Sequence, residues 1–378
     1  IIINCISATP TVEMTHNLSD EIWDDVAVYA IAVGLAPLLH WHLEQLEVTP
    51  PPMAMAKLGI TRQAHLKRNQ GIAAQLTELL AAYQSTKIDT LVLKGAFLAP
   101  TLYPEVSLRP MNDIDLLFRE ADLSKVGAVL EQLGYAGKHK DASIGPGVTK
   151  HLSTYRRDGN EGATPNPYLS AGGDRMVEPH GSLEESWFGL KIDITPGVWS
   201  RATATSLHEQ PAYHLSSSDM LLHLAVHATF HVIMGASVFV QLYDIKQLLD
   251  QWADELDWTE ILALSQQANA EPFLYAALYW VNTLFGVSIP EAPRLALKKA
   301  TPPALVTYIH SLDASGIFER TQHPPLVTLK QRLQRGVLDR QETARWATSL
   351  KGKWHVWRTA LDVTKTDTAR LLTEKVQS

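Results

Sequence analysis

The sequence predicts an α+β fold, a small sheet core set between an N-terminal helical layer and a C-terminal helical lobe. Three observations predict it. Apolar residues recur at helical spacing from Leu18 to about Ala82, strand-like and helix-like runs alternate between Ile88 and Gly134, and the pattern is helical again from Ser216 nearly to the end. At 378 residues the chain exceeds the roughly 250–300 that one hydrophobic core usually fills, so more than one lobe is expected. The division read from these patterns is a helical layer over 1–87, an α/β core over 88–200 and a helical domain over 201–378.

Each element has a local reason. Ser19 or Asp20 is a suitable N-cap for the first helix, and "VTPPP" at Val48–Pro52 breaks it from a second helical region that ends near Tyr83. Ile88–Leu93, "IDTLVL", is short and rich in branched residues, as a buried strand requires. Gly95 opens a helix to about Tyr103, and the proline-flanked "YPEVSLRP" is a loop. Asn112–Phe118 is the next strand, followed by an amphipathic helix that stops at Gly134. The stretch 137–174 is rich in Gly, Asn, Pro and Ser and reads as a long loop, with "KHLSTYRRDG" as one arm of a hairpin returning at "DRMVEPHGSL". "LKIDI", Leu190–Ile194, is a further strand.

Composition excludes several classes. Hydrophobic residues at 46% and charged residues at 19% describe a folded globular chain. A net charge of -7 disfavours a broad nucleic-acid surface, because phosphate binding rewards clustered Lys and Arg. The lone Cys5 allows neither an internal disulfide nor a cysteine-based zinc cluster, and no segment approaches the roughly 20 apolar residues of a membrane span. A cytoplasmic protein is expected.

The chemistry concentrates at "NDIDLLF". On a strand, Asp113 and Asp115 project to one side while Asn112, Ile114 and Leu116 face the other. Two adjacent carboxylates repel unless a cation joins them or solvent surrounds them. An oxygen-only pair favours Mg²⁺ or Mn²⁺, which recruit phosphate oxygens as further ligands; a solvated strand end is the competing reading. The surroundings favour a phosphate site. Gly95 follows a buried strand and precedes a helix, where backbone N–H groups attract anions, and Lys94 and Arg109 add positive charge.

With these residues in view, the chain resembles the uncharacterised nucleotidyltransferase-like family of the polymerase-beta-type nucleotidyltransferase superfamily. The resemblance rests on Leu93-Lys94-Gly95, Tyr103, Arg109-Pro110, Asp113-Ile114-Asp115 and Gly134-Tyr135, and extends more loosely through "MVEPHGSL", "VWSRA" and "LLHLAVHATFH…YDIKQLL". It implies a small mixed-sheet nucleotidyltransferase core. It also implies transfer of a nucleoside monophosphate from an NTP to an acceptor, with pyrophosphate leaving and Mg²⁺ or Mn²⁺ as cofactor. Asp113 and Asp115 would be catalytic and hold the metal, and Lys94, Gly95 and Arg109 would bind the nucleotide. A third carboxylate is implied on a neighbouring strand. The family's Glu-x-His motif places it at Glu178, with His180 two residues on, and Asp193 in "KIDIT" is the rival. Two positions depart from the wider superfamily: Ala96 follows Gly95 where a second Gly or a Ser is usual, and Pro179 sits beside Glu178, awkward inside a sheet unless at an edge.

Other residues carry weaker signals. His223, His227 and His231 share one helical face. No carboxylate completes a zinc set, and the resemblance implies that His227 and His231, with His180 and Asp244, line the cleft; packing, or a buried pair for Asp244, is the plainer reading. Of Arg156 and Arg157, at most one could reach a phosphate, and surface charge is expected. In the basic tail, Trp346, Trp354 and Trp357 are expected in the core, with the charges in solvent rather than meeting RNA or an acidic protein. The acceptor is unassigned; the charge favours a small molecule, peptide or protein over a long nucleic acid. Two other functions stay open: a D-x-D glycosyltransferase using a sugar nucleotide, and a non-catalytic nucleotide- or partner-binding protein.

Overall fold

A computed structural model describes residues 1–10, 13–15, 17–137, 154–157, 175–321 and 329–359. Ser19 caps the helix Asp20–Ala32 by accepting from the Ile22 N–H at 3.3 Å, with Asp20 and Glu21 in its first turn. The helix Ala36–Gln45 follows. After the proline break, Pro52–Ser85 runs for 34 residues and buries Leu58, Ile72, Leu76, Leu79 and Tyr83. The apolar start of the chain, "IIINCI", is core, since Cys5 and Ile6 are fully buried and the nearby Ala8 N–H bonds the carbonyl of Phe285.

The main sheet has seven strands: β1 (Leu91–Val92), β2 (Asp113–Leu117), β3 (Ala136–Gly137), β4 (Tyr155–Arg156), β5 (Met176–His180), β8 (Thr203–Leu207) and β9 (Gln210–His214), in the order β3-β4-β5-β2-β1-β9-β8. It is mixed. β2 lies parallel to β5 and antiparallel to β1, which is itself parallel to β9. β6 (Glu184–Trp187) and β7 (Leu190–Asp193) form a separate hairpin. Its two-residue turn, Phe188-Gly189, has φ of 43° and 80°, the pair of positive values that matches the twist of the flanking strands.

Two expectations meet a different outcome here. The helical domain was expected over 201–378, with the helical pattern from Ser216; β8 and β9 extend the sheet to His214 before it, through a hairpin whose turn residues His208 and Glu209 also have positive φ. The expected strand Ile88–Leu93 shortens to Leu91–Val92, although Thr90 still accepts from the Tyr213 N–H and Leu93 still donates to the Asp115 carbonyl. The hairpin arm expected at 150–159 is seen as β4, which pairs with β5; most of the 137–174 loop lies outside the described residues.

From Ser217 the chain is helical among the described residues. The helix Ser217–Met234, capped by Ser216 and closed by Gly235 at φ 70°, is buried on nearly every side, as its continuous apolar composition requires. The helices Phe239–Gln251 and Glu271–Phe285 pack on it, and one hydrophobic core runs from the N-terminal helices through the sheet into this lobe. Trp346 is in that core, 1% exposed. Trp354 and Trp357 are not: they are 61% and 41% exposed on the helix Leu350–Arg358, which corrects the expectation that all three tryptophans are buried. No helix among the described residues is long and apolar enough to cross a membrane.

Candidate active site

The strand-to-helix turn after β1 sets the first group. Leu93 is extended, Lys94 takes φ +44°, a costly conformation for a side chain with a Cβ, and the helix Lys94–Leu102 begins there. That turn sends the Lys94 ammonium to Asp115, Nζ to Oδ1 3.0 Å, with both side chains largely buried.

The register of β2 on β5 sets the acids. Asp113 lies opposite Met176 and Asp115 opposite Glu178, so Asp113, Asp115 and Glu178 stand on one face of two paired strands. His180, next on that face of β5, bonds Asp115 Oδ1 through Nε2 at 2.6 Å. Ligand atoms of Asp115, Glu178 and His180 lie within 4.8 Å of one another. Pro179 is accommodated by alternation: Phe118 N–H bonds the His180 carbonyl, which turns Pro179 toward β4, and β4 pairs with β5 only at Tyr155 and Val177 among the described residues.

These groups perturb one another. Burial, reinforced by the Asp115 charge, pushes the Asp113 carboxyl up to about 6. Burial works the same way on Asp115, but Lys94 and the His180 hydrogen bond outweigh it and hold that carboxyl well below the usual range. Lys94 is raised despite its burial, because Asp115, Glu185 and Asp113 surround it. A donor set dominated by carboxylate oxygen, with one acid inclined to keep a proton, fits a hard divalent cation.

Arg109 does something else. Its Nε and Nη2 bond Asp244 Oδ1 and Oδ2 at 3.2 and 2.8 Å, and Tyr103 donates to the same Oδ1 at 2.6 Å. Asp244 is fully buried, so it underlies the cleft and does not line it, a correction to the expected cleft position. Gly95 faces this pair. A Cβ there would stand 2.3 Å from Arg109 Nη1 and 2.9 Å from Met111 Cγ, so in this structure its lack of a side chain makes room for the guanidinium. His180 is likewise corrected: it is fully buried behind Asp115 rather than exposed in the cleft.

The cleft above the acids encloses about 630 Å³. Lys94, Arg109, Asp113, Asp115 and Glu178 line it from the sheet side, and His227 and His231 from the helix Ser217–Met234. The His227 ring lies 4.4 Å from that of His231 and 6.1 Å from that of His223, and its Nδ1 is 2.8 Å from Glu185 Oε1. Sequence reasoning missed Glu185, whose neighbours in "SLEESW" show no motif. It also missed His65 and Arg68, which reach the cleft from the helix Pro52–Ser85. Their signal was legible: Thr61, His65, Arg68, Asn69 and Gln75 break the run of apolar residues at helical spacing on the buried face.

Asp193 is elsewhere. It ends β7, opposite Glu184 in the small hairpin, accepts from the Thr195 N–H and hydroxyl, and lines a separate cavity of about 120 Å³ with Asp219. The rival third acid therefore does not share the cleft of Asp113 and Asp115. Arg157 is held by Glu78 and the Leu133 carbonyl, and Arg156 points to the Met176 sulfur.

The fold is a mixed α+β arrangement, with helices flanking the sheet and acids on one sheet face at the floor of a cleft. Residues 19–286 match the family described as uncharacterised nucleotidyltransferase, and the chain belongs to that family. No curated protein matches the sequence. Among solved structures, the antibiotic-resistance factor ANT(2'')-Ia in solution is similar at 13% identity and a TM-score of 0.36, over 56% of this chain and 96% of that one. The same factor in complex with adenylyl-2''-tobramycin gives 12% and 0.33, over 52% and 97%. A nucleotidyltransferase-like protein from Paracoccidioides brasiliensis gives 11% and 0.34, over 60% and 97%. These likenesses are partial, and family membership rests on the sequence match.

Proposed function

We propose that the protein moves a nucleoside monophosphate from an NTP to an acceptor, releasing pyrophosphate, with Mg²⁺ or Mn²⁺ held by Asp113, Asp115 and Glu178. The single observation that carries this reading is the register that sets Glu178 opposite Asp115, giving three carboxylates on one face at the floor of a cleft. Divalent ions bound there would neutralise the triphosphate and polarise the attacking and leaving oxygens. The chain's own groups divide the remaining work. His180 fixes the orientation of Asp115 from below, and Lys94, kept charged by the acids around it, balances their charge and faces the triphosphate. Arg109, tied to Asp244, secures the turn at Gly95 more than it grips phosphate.

A cleft of about 630 Å³ is within the range that encloses one nucleotide-sized ligand, so a small molecule or an inserted peptide side chain suits it better than a long nucleic acid. The division into a helical layer, an α/β core and a helical lobe is retained, with the core extended to residue 214. The lone cysteine supports a cytoplasmic setting.

The test needs no knowledge of the acceptor. Thermal unfolding is followed with each NTP, with UDP- and GDP-sugars, and with Mg²⁺ or Mn²⁺, for the wild-type chain and Asp113→Asn. Metal-dependent stabilisation by an NTP, absent in the variant, is expected. Stabilisation by sugar nucleotides alone would reassign the site to glycosyl transfer, and no response to any of them would leave a binding or scaffold protein.

A further inference from the structure

The cleft holds an acid–histidine pair that none of the roles above uses. Glu185 on β6 is 7% exposed, and its Oε1 sits 2.8 Å from His227 Nδ1. A buried carboxylate on one ring nitrogen places the imidazole proton there and makes Nε2 the basic position. The ring is also fixed by its neighbours, His231 and His223, on the same helix face. The pair belongs to the same reaction space as the acids. His227 lines the cleft with Asp113, Asp115 and Glu178, and Glu185 is one of the charges that surround Lys94, which bonds Asp115.

We propose that His227, oriented by Glu185, is the general base that takes the proton from the acceptor, and that the acceptor group is a hydroxyl. The inference rests on the nucleotidyl-transfer reading. A phosphate acceptor is already ionised at neutral pH and needs no base, whereas a hydroxyl must lose its proton as it attacks. In the step, the acceptor O–H bond breaks and its proton passes to His227 Nε2. The acceptor oxygen bonds the α-phosphorus, the bond from that phosphorus to the bridging oxygen breaks, and pyrophosphate leaves with the electron pair. Glu185 stays ionised and stabilises the imidazolium, as a positioning residue. Glu178 is then a ligand for cations and not the proton acceptor.

Two readouts test this on the full chain. Long-range proton–nitrogen spectra of histidine-labelled protein, with His227→Gln to assign the signal, should show that the neutral form of His227 is the Nδ1–H tautomer, and Glu185→Gln should remove that preference. Pyrophosphate release from Mg²⁺·NTP, with water and a panel of small alcohols and sugars as acceptors, should fall about 10²–10⁴-fold in His227→Gln. Thermal stabilisation of that variant by Mg²⁺·NTP should persist, and added imidazole should restore part of the turnover of His227→Gly. An Nε2–H tautomer in the wild-type chain, or undiminished pyrophosphate release in His227→Gln, overturns the proposal. Stabilisation by NTP without pyrophosphate release from any hydroxyl acceptor overturns it as well, leaving nucleotide binding in place. Failure of every Mg²⁺·NTP to stabilise the wild-type chain removes the nucleotidyl reading, and the base role with it.

Discussion

Replacing Asp244 by Asn should cost the protein several kilocalories per mole, although the residue is fully buried and does not itself line the cleft. The Arg109 guanidinium has two bonds to this carboxylate, its side chain is only 10% exposed, and Tyr103 donates to the same oxygen that receives Arg109 Nε. Removing the negative charge leaves a cation in a place where water cannot replace it. Breaking one side of such a buried pair costs about 3–5 kcal/mol. For 378 residues unfolding as one unit, the unfolding entropy is about 0.8 kcal/mol/K, so the expected fall in Tm is about 4–6 °C. Asp122→Asn is the control. That carboxylate meets Lys125, whose side chain is 65% exposed, and such pairs contribute under about 1 kcal/mol. The double variant Arg109→Met/Asp244→Leu removes both charges of this pair and should lose much less than the sum of the single losses, retaining mainly the cost of the Tyr103 hydroxyl left without its acceptor, about 1–3 kcal/mol. Scanning calorimetry reads all of these. An Asp244→Asn protein within 1 °C of wild type, or single losses that simply add in the double variant, would refute the reasoning.

Gly95→Ala should lower the urea midpoint by the equivalent of about 1–3 kcal/mol, since the new Cβ meets Arg109 and Met111 at 2.3 and 2.9 Å; an unchanged midpoint would mean the guanidinium moves aside freely. The Asp113 carboxyl, raised from 3.8 to about 6, holds a proton in the folded chain that the unfolded chain has already released. Its contribution to stability is therefore complete below 3.8 and is lost as pH rises through about 6 in metal-free protein, a slope that Asp113→Asn should flatten. Under the proposed metal binding, Mg²⁺ added in weak buffer between those pH values should release protons. Trp346→Ala should destabilise by about 3–5 kcal/mol and Trp354→Ala by less than about 0.5, because only the first is buried.

Much of this was legible because it is periodic. The alternation in "DIDLL" put both aspartates on one face, and helical spacing located the N-terminal layer and the histidine stripe before any coordinates. The third acid needed the family resemblance, because local pattern favoured Asp193, flanked by isoleucines, over Glu178 beside a proline. Pairing separates the two candidates where pattern could not: among the described residues β7 joins only β6, while β5 joins β2 and sets Glu178 opposite Asp115. The hairpin of β8 and β9 was illegible for a different reason. At the sheet edge its outer strand is mostly solvated, so "TATSL" shows almost no apolar alternation. The fates of Arg109 and Gly95 were hidden by distance, since the partner Asp244 lies 135 residues further on. Glu185 had no sequence signal at all, and only the approach of β6 to the helix Ser217–Met234 brings it to His227.

The parallel pairing of β2 with β5 also says when the site comes into being. His180 reaches Asp115 across 65 residues of chain, and two parallel neighbours cannot be joined by a tight turn. A nascent or partly unfolded chain therefore presents the aspartate pair without Glu178 opposite it or His180 bonded to it. Closing so long a loop is slow relative to forming helices, which makes assembly of the acids a late event on the folding path. Under the proposed metal binding, tight capture of a divalent ion would be a property of the finished topology. On that proposal, Mg²⁺ would bind complete molecules in preference to incomplete ones and stabilise only the former.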